Sequence, residues 1–511
     1  VKKAVKEFDK EDHHSIARQC AEEAIVLLKN DGTLPLNKEK VCFIGDFADV
    51  PRYQGAGSSV VNPTRTESFI KEVKNYDINY IGYEPGFKRY GQKSGSLAKK
   101  ALDLASRADT VVFFAGLDEV TEAEGLDRQS MKLPEVQLEL LTRIYVLKKK
   151  VVVVLFCGSA VELDVLDDAN ALVHAYLGGQ AGVTAMLDVL TGKVNPSGKL
   201  SESYPVKYED CSSATHFPGE KFTSEYRESI FVGYRYYQTA GVKERYPFGY
   251  GLSYTTFEYS DLKVDGKGVT FTIKNTGSVD GAEVAQLYIG KPDSAIFRPA
   301  KELKGFKKVF LKAGQSAKVS IPFDEYTFRV YNPKACEWQV EGGTYVVGIG
   351  ASVADIRLVG SAEVKGNMTD FGYDRELLKS YYSGQAANVD DKQFAAVLGR
   401  EIPSPEYKFY KRNRIVIDEN STVADLRYSK RWVGRLFSGV IRFAISFMRS
   451  VGKRATANML IQGVLHQPMR GIAKYGSMSR RQMEALIMIF NGHLFKGAGQ
   501  FLSKEKKGGN K

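Results

Sequence analysis

No stretch of roughly 18 uncharged apolar residues occurs anywhere in the 511 residues, so the sequence offers no conventional transmembrane helix. Cysteine is scarce and odd in number: Cys20, Cys42, Cys157, Cys211 and Cys336 are widely spaced, which excludes a disulfide scaffold or a zinc knuckle. Cys42 and Cys157 lie inside apolar runs and read as buried thiols, and this usage favours a reducing compartment. Six scattered histidines supply no ligand pair at helical spacing, which argues against catalytic zinc. Neither a GxxxxGK[ST] phosphate loop nor a GxSxG nucleophile elbow is present. The glycines of Gln54-Gly55-Ala56-Gly57 come too long after Gly45 for a dinucleotide fingerprint.

What is present is a soluble globular composition, 43% hydrophobic and 26% charged, long enough for two to four domains. The net charge of +12 is unevenly placed. Residues 1–370 hold 47 basic and 49 acidic side chains, whereas residues 371–511 hold 25 and 11. Basicity is a property of the tail alone.

Along the chain, Ala17, Cys20, Ala21, Ala24, Ile25 and Leu28 form one apolar stripe, predicting an amphipathic helix from Glu11 that stops at Asn30-Asp31-Gly32. Val41–Gly45, Thr110–Gly116, Val151–Cys157 and Ala171–Tyr176 have no polar alternation, as expected of strands buried on both faces. A helix starting at Pro134 turns Val136, Leu140, Leu141, Ile144 and Leu147 inward. Alternation of these strands and helices predicts an α/β domain with a mostly parallel sheet over 11–258. Short strands at Val269–Lys274, Glu283–Gly290, Lys307–Leu311, Ala317–Pro322 and Thr344–Gly348 then predict a β-sandwich over 259–366. A basic helical tail is expected over 367–511. Its helix Trp432–Val451 turns Val433, Leu436, Phe437, Val440, Ile441, Ala444, Phe447, Met448 and Val451 to one face and Arg435, Arg442 and Arg449 to the other. A last helix covers Ser479–Phe490.

The densest chemistry is Asp118-Glu119-Val120-Thr121-Glu122-Ala123-Glu124-Gly125-Leu126-Asp127-Arg128, where a parallel strand opens into a loop at its C-terminal end. Carboxylates crowded beside a single Arg are expected to raise one another's pKa, which keeps one protonated as a general acid. A solvated acidic loop is the plainer reading of the same residues.

Glu124-Gly125-Leu126-Asp127-Arg128, followed by Leu133-Pro134 and Gln137, resembles the acid/base loop of family 3 glycoside hydrolases, the β-glucosidase family. Ala21–Leu36, Tyr53–Ser59, Asn195–Leu200, Phe231–Tyr237 and Pro247–Phe257 resemble successive segments of that family's second domain. Lys301–Gly314 resembles its fibronectin type III-like module. The matches are collinear across about residues 11–360.

The resemblance implies a retaining, exo-acting enzyme that releases terminal β-linked glucose from an oligosaccharide or aryl β-glucoside without metal or organic cofactor. It assigns the acid/base role to Glu124, with Glu122 the nearest rival and Glu119 a weaker one, and makes Asp127 and Arg128 a pair that shapes the loop. Family members carry the nucleophilic Asp in an SDW-like or TDW-like motif of a (β/α)-barrel, and neither tripeptide occurs here. The chain is therefore expected to be the C-terminal portion of such an enzyme, supplying the acid/base domain but not the nucleophile. The rival expectation is a non-catalytic carbohydrate-binding or scaffold protein. Asn491-Gly492-His493 and Phe495-Lys496-Gly497 resemble the ends of family members that look cytoplasmic, which places this chain there too. The tail is expected to dock on its own enzyme or subunit partner through Trp432, Phe437 and Phe447. Binding an anionic membrane surface is the second reading of the tail, and nucleic acid is disfavoured for lack of any binding module. A homo-oligomer is compatible with all of this.

Overall fold

The computed structural model describes residues 8–219, 223–369, 372–403 and 415–503. The chain opens with helix α1 (Lys10–Ala24), whose first turn is capped by the Asp9 carboxylate accepting from the Glu11 and Asp12 amides. The helix ends well short of the expected Asn30-Asp31-Gly32 stop. Ile25 turns extended, and Val26–Asn30 becomes strand β1, antiparallel to Ala171–His174. Ile25 to Leu28 are all buried, and four buried residues in succession suit a strand packed on both faces better than one stripe of a helix.

Five further strands complete the sheet: β2 (Lys40–Ile44), β3 (Asn79–Glu84), β4 (Thr110–Gly116), β5 (Lys150–Phe156) and β6 (Ala171–His174). Their order is β1-β6-β5-β4-β2-β3, parallel throughout except for the β1 edge. Every residue of β4 and all but Lys150 of β5 are buried, because helices cover both faces. The helix Glu135–Val146 buries Leu140, Leu141 and Ile144, with Val136 and Leu147 at its margin. Its Gln137 side chain both accepts from and donates to the Gly116 backbone at 2.9 Å, fixing the end of β4. Strand order reverses between β2 and β4, and loops leaving their C-terminal ends face one another across that switch point.

A β-sandwich follows. One sheet holds Phe257–Asp265, Gly268–Asn275 and Ser316–Pro322; the other holds Glu302–Leu311, Gly281–Gly290, Gly343–Gly350 and Ile356–Val364. Phe271, Ile273, Leu287, Val319, Tyr345 and Val347 fill the space between them. A separate hairpin pairs Arg329–Asn332 with Glu337–Val340. The five cysteines are free, and Cys42 and Cys157 are buried.

The tail is helical, including Trp432–Ser450, Arg454–Leu460 and Arg480–Phe490, and has its own small core around Leu426, Ile445, Ile461 and Met483. The apolar face expected of Trp432–Val451 is not all buried. Val433, Ile441, Ala444 and Met448 pack inward, but Leu436, Val440, Phe447 and Val451 are more than half exposed. The apolar arc is wider than the single groove the neighbouring helices offer. Among the described residues, no helix is long and apolar enough to cross a membrane.

Candidate active site

The loop after β4 is set by Asp118, a buried carboxylate that accepts from the Val120 and Thr121 amides at 2.7 and 2.8 Å. From that turn the three glutamates diverge, and each meets its own donors. Glu119 is gripped by Arg89 through Nε at 3.0 Å and Nη2 at 2.5 Å, while Arg89 Nη1 holds Asp46 at 2.6 Å. Glu122 is the most tightly bound. The buried Arg52 donates to its carboxylate, to its carbonyl at 2.8 Å and to the Leu117 carbonyl at 3.0 Å. The Gly158 amide, at 2.9 Å, and the Ser159 hydroxyl, at 2.7 Å, complete its shell.

Glu124 is exposed at the rim, and its carboxylate accepts from the Ser58 amide and hydroxyl, both at 2.6 Å. The approach is close because residue 57 is glycine with φ +109°; a Cβ there would stand 2.6 Å from the Glu124 side chain. The Glu124 amide in turn donates to the Ala56 carbonyl at 3.1 Å, so the loops after β2 and β4 are joined at both backbone and side chain.

These partners reverse the expected electrostatics. Burial alone would raise Glu119 and Glu122, but the Arg89 contacts of Glu119 pull it below the ordinary range. The Gly158, Ser159 and Arg52 contacts do the same for Glu122. Glu124 is also lowered, chiefly by its hydrogen bonds to Ser58. Mutual repulsion does not dominate because each carboxylate points to its own donors. The expected Asp127–Arg128 pair does not form among the described residues: Arg128 instead donates at 2.9 Å to Ser159 Oγ and the Ala160 carbonyl.

Behind the loop lies a cleft of about 730 Å³ lined by Glu122, Asp127, Arg128, Ser159, Glu202 and Tyr237, among others. Glu202, which the sequence reading passed over, is the one carboxyl here raised to about 7, by burial first and then by Glu122, against the Ala160 backbone and Arg128. Ser201-Glu202-Ser203 carries no acidic cluster, and only its placement under the loop marks it. No group of three or more metal-ligating side chains occurs among the described residues.

The tail closes over the same loop. Asn458 Nδ2 donates to the Val120 carbonyl at 3.3 Å, Gln462 Nε2 donates to the Glu124 carbonyl, and Leu126 packs on the tail core. Gln462 stands in a π-helical turn, Ile461–Leu465, and lies 3.2 Å from where a Cβ on Gly125 would fall. Trp432 and Phe447 take no part: both are more than half exposed, and Phe437 meets the Phe490 ring of the tail itself at a tilt.

The α/β sheet with a fibronectin-like sandwich downstream matches known proteins. The family profile described as Glycosyl hydrolase family 3 C-terminal domain covers residues 25–254, and the Fibronectin type III-like domain profile covers residues 283–353. The chain carries the C-terminal domain of glycosyl hydrolase family 3.

Thermostable beta-glucosidase B of Acetivibrio thermocellus is 42% identical over 414 residues, 78% of this chain and 54% of that protein. Exo-alpha-(1->6)-L-arabinopyranosidase of Bifidobacterium longum is 41% identical over 367 residues, 68% of this chain and 48% of that protein. Among solved structures, the family 3 beta-glucosidase of Bifidobacterium adolescentis superposes with a TM-score of 0.68 at 38% identity, covering 75% of this chain and 58% of that one. The chain spans about half the length of the curated relatives it matches. In family terms, the α/β sheet, the fibronectin type III-like sandwich and the helical end follow in the order expected of the sequence.

Proposed function

We propose that this chain supplies the proton-transferring carboxyl group of a retaining, exo-acting β-glucosidase, with the nucleophile carried by the (β/α)-barrel of a longer parent. Glu124 is the acid/base. The supporting observation is its freedom: Glu119 and Glu122 are held by arginines, whereas among the described residues the exposed Glu124 carboxylate meets only the Ser58 amide and hydroxyl. A group that must give and later take a proton needs an oxygen open to substrate.

In the first step the Glu124 carboxyl proton passes to the glycosidic oxygen as the C1–O bond breaks and the nucleophile bonds to C1. In the second, Glu124 takes a proton from water, whose oxygen attacks C1 and displaces the nucleophile. Here Ser58 stabilises the anion. Covering the rim with sugar and barrel removes water from Glu124, and that desolvation raises its pKa toward the acid role. The substrate is an oligosaccharide or aryl glycoside ending in β-linked glucose, in keeping with the β-glucosidases among the relatives.

The test is turnover of aryl β-glucosides by the chain joined to a family barrel. Glu124→Gln is expected to slow substrates with poor leaving groups about 10²–10⁴-fold. Activated leaving groups, which depart without a proton, are spared in the glycosylation step, and azide restores turnover. If Glu122→Gln were the slower variant and the one azide rescues, the assignment would move to Glu122.

A further inference from the structure

A cavity of about 510 Å³ opens beside the β-sandwich, well apart in sequence from the loop of Glu124. The Arg329–Asn332 and Glu337–Val340 hairpin forms part of its wall. Three aromatic side chains there are open to solvent: Tyr326 at 52%, Tyr331 at 46% and Trp338 at 54%. Exposed aromatic clusters of this kind mark binding surfaces, because each ring offers a rigid apolar face with little entropy to lose.

The charges beside these rings are unbalanced. Glu302 is shared by Arg235 at 3.7 Å, Arg298 at 3.6 Å and Lys304 at 3.7 Å. All three contacts are longer than a charge-assisted hydrogen bond of about 2.7–2.9 Å. Arg298 also reaches Glu341, at 3.7 Å. A fourth cation, Arg329, lies over the Tyr326 and Trp338 rings at 3.9 and 4.4 Å. Four cations thus face two carboxylates, and Arg298 and Lys304 also donate to the Tyr345 hydroxyl at 3.2 Å and the Tyr326 carbonyl at 3.4 Å. Arg235 Nε is buried without a hydrogen-bond partner. Burial lowers the pKa of Lys304, with Arg298 and Arg235 adding to the effect and Glu302 opposing it. A cavity in which the positive side is crowded and one guanidinium nitrogen lacks a partner favours an incoming anion.

We propose that this cavity binds a carboxylate carried on a six-membered ring. Arg235 and Lys304 take the carboxylate, and the ring lies against Trp338 and its neighbouring tyrosines. A uronic acid and a hydroxybenzoate share this chemistry. Neither the site nor its test depends on the role of Glu124.

The experiment is calorimetric titration of the 511-residue chain with glucuronate, 4-hydroxybenzoate and their neutral amides. One acid at least is expected to bind at least about tenfold more tightly than its amide, about 1.4 kcal/mol. Whichever acid does so identifies the source. Arg235→Gln and Lys304→Gln, each melting like the parent chain, should lose that preference, and Trp338→Ala should weaken acid and amide alike. Equal binding of acid and amide, no saturable heat from either acid, or a preference that survives both charge variants would overturn the proposal. If a variant fails to fold, the acid–amide comparison on the unsubstituted chain decides alone.

Discussion

Replacing Arg52 with methionine tests whether the acidic loop is held by its arginine clamp. The Arg52 side chain is 2% exposed and donates to the Leu117 carbonyl, the Glu122 carbonyl and the Glu122 carboxylate. Methionine keeps the length and the apolar stem but removes every donor. The Glu122 carboxylate then keeps only Gly158 and Ser159, and two carbonyls lose their partner. Breaking one side of a buried ion pair costs about 3–5 kcal/mol. For a domain of about 150–250 residues each kcal/mol moves the melting temperature by about 2–4 °C, so the α/β domain should melt about 6–20 °C lower. Differential scanning calorimetry of the chain reads this directly. Removing both partners, Arg52→Met with Glu122→Met, should recover much of the loss, because no stranded charge remains. A single substitution costing less than about 1 kcal/mol would refute the clamp. So would a double variant that falls by the sum of both single losses.

Ser58→Ala removes one donor from Glu124 and should raise its carboxyl pKa toward the ordinary glutamate value, followed by carbon NMR of the side chain; an unmoved value would mean that Ser58 is not what stabilises the anion. Glu202 gives a pH dependence of opposite sign to the usual carboxylate. Its folded pKa is raised to about 7, so between about 4.3 and 7 the folded state binds more protons than the unfolded one. Its contribution to stability is therefore full below about 4.3 and declines as pH rises through 7. Glu202→Gln should flatten urea midpoints across that window, and an unchanged slope would contradict the assignment.

How far the sequence carried depends on whether a residue's partner is near it in the chain. Runs such as Val151–Phe156 are legible because burial on both faces writes itself as unbroken apolar sequence. Asn79–Glu84 escaped because this edge strand is only half-buried and mixes Asn, Gly and Tyr with Ile. The first helix was overextended because Ile25 and Leu28 fit a helical stripe as well as a strand, and only pairing with Ala171–His174 decides between them. The loop of Glu124 was visible from its acidic density at a strand end. Its electrostatics were not, because Arg52 and Ser58 precede their partners by 70 and 66 residues. The tail helix was legible as a helix, but which part of its apolar arc meets a neighbour is a tertiary matter.

The tail contact also sets an order of events during synthesis. Gln462 follows Glu124 by 338 residues, and Leu126 has no tail core to pack on until those helices exist. At about 5–20 residues per second, the ribosome takes about 17–68 s to travel from one to the other. For that interval the α/β sheet can fold, but its acidic loop stands uncovered, with the Glu124 carbonyl facing water. The helices that finish the loop follow it by 338 residues, so the site is completed only once they have been made.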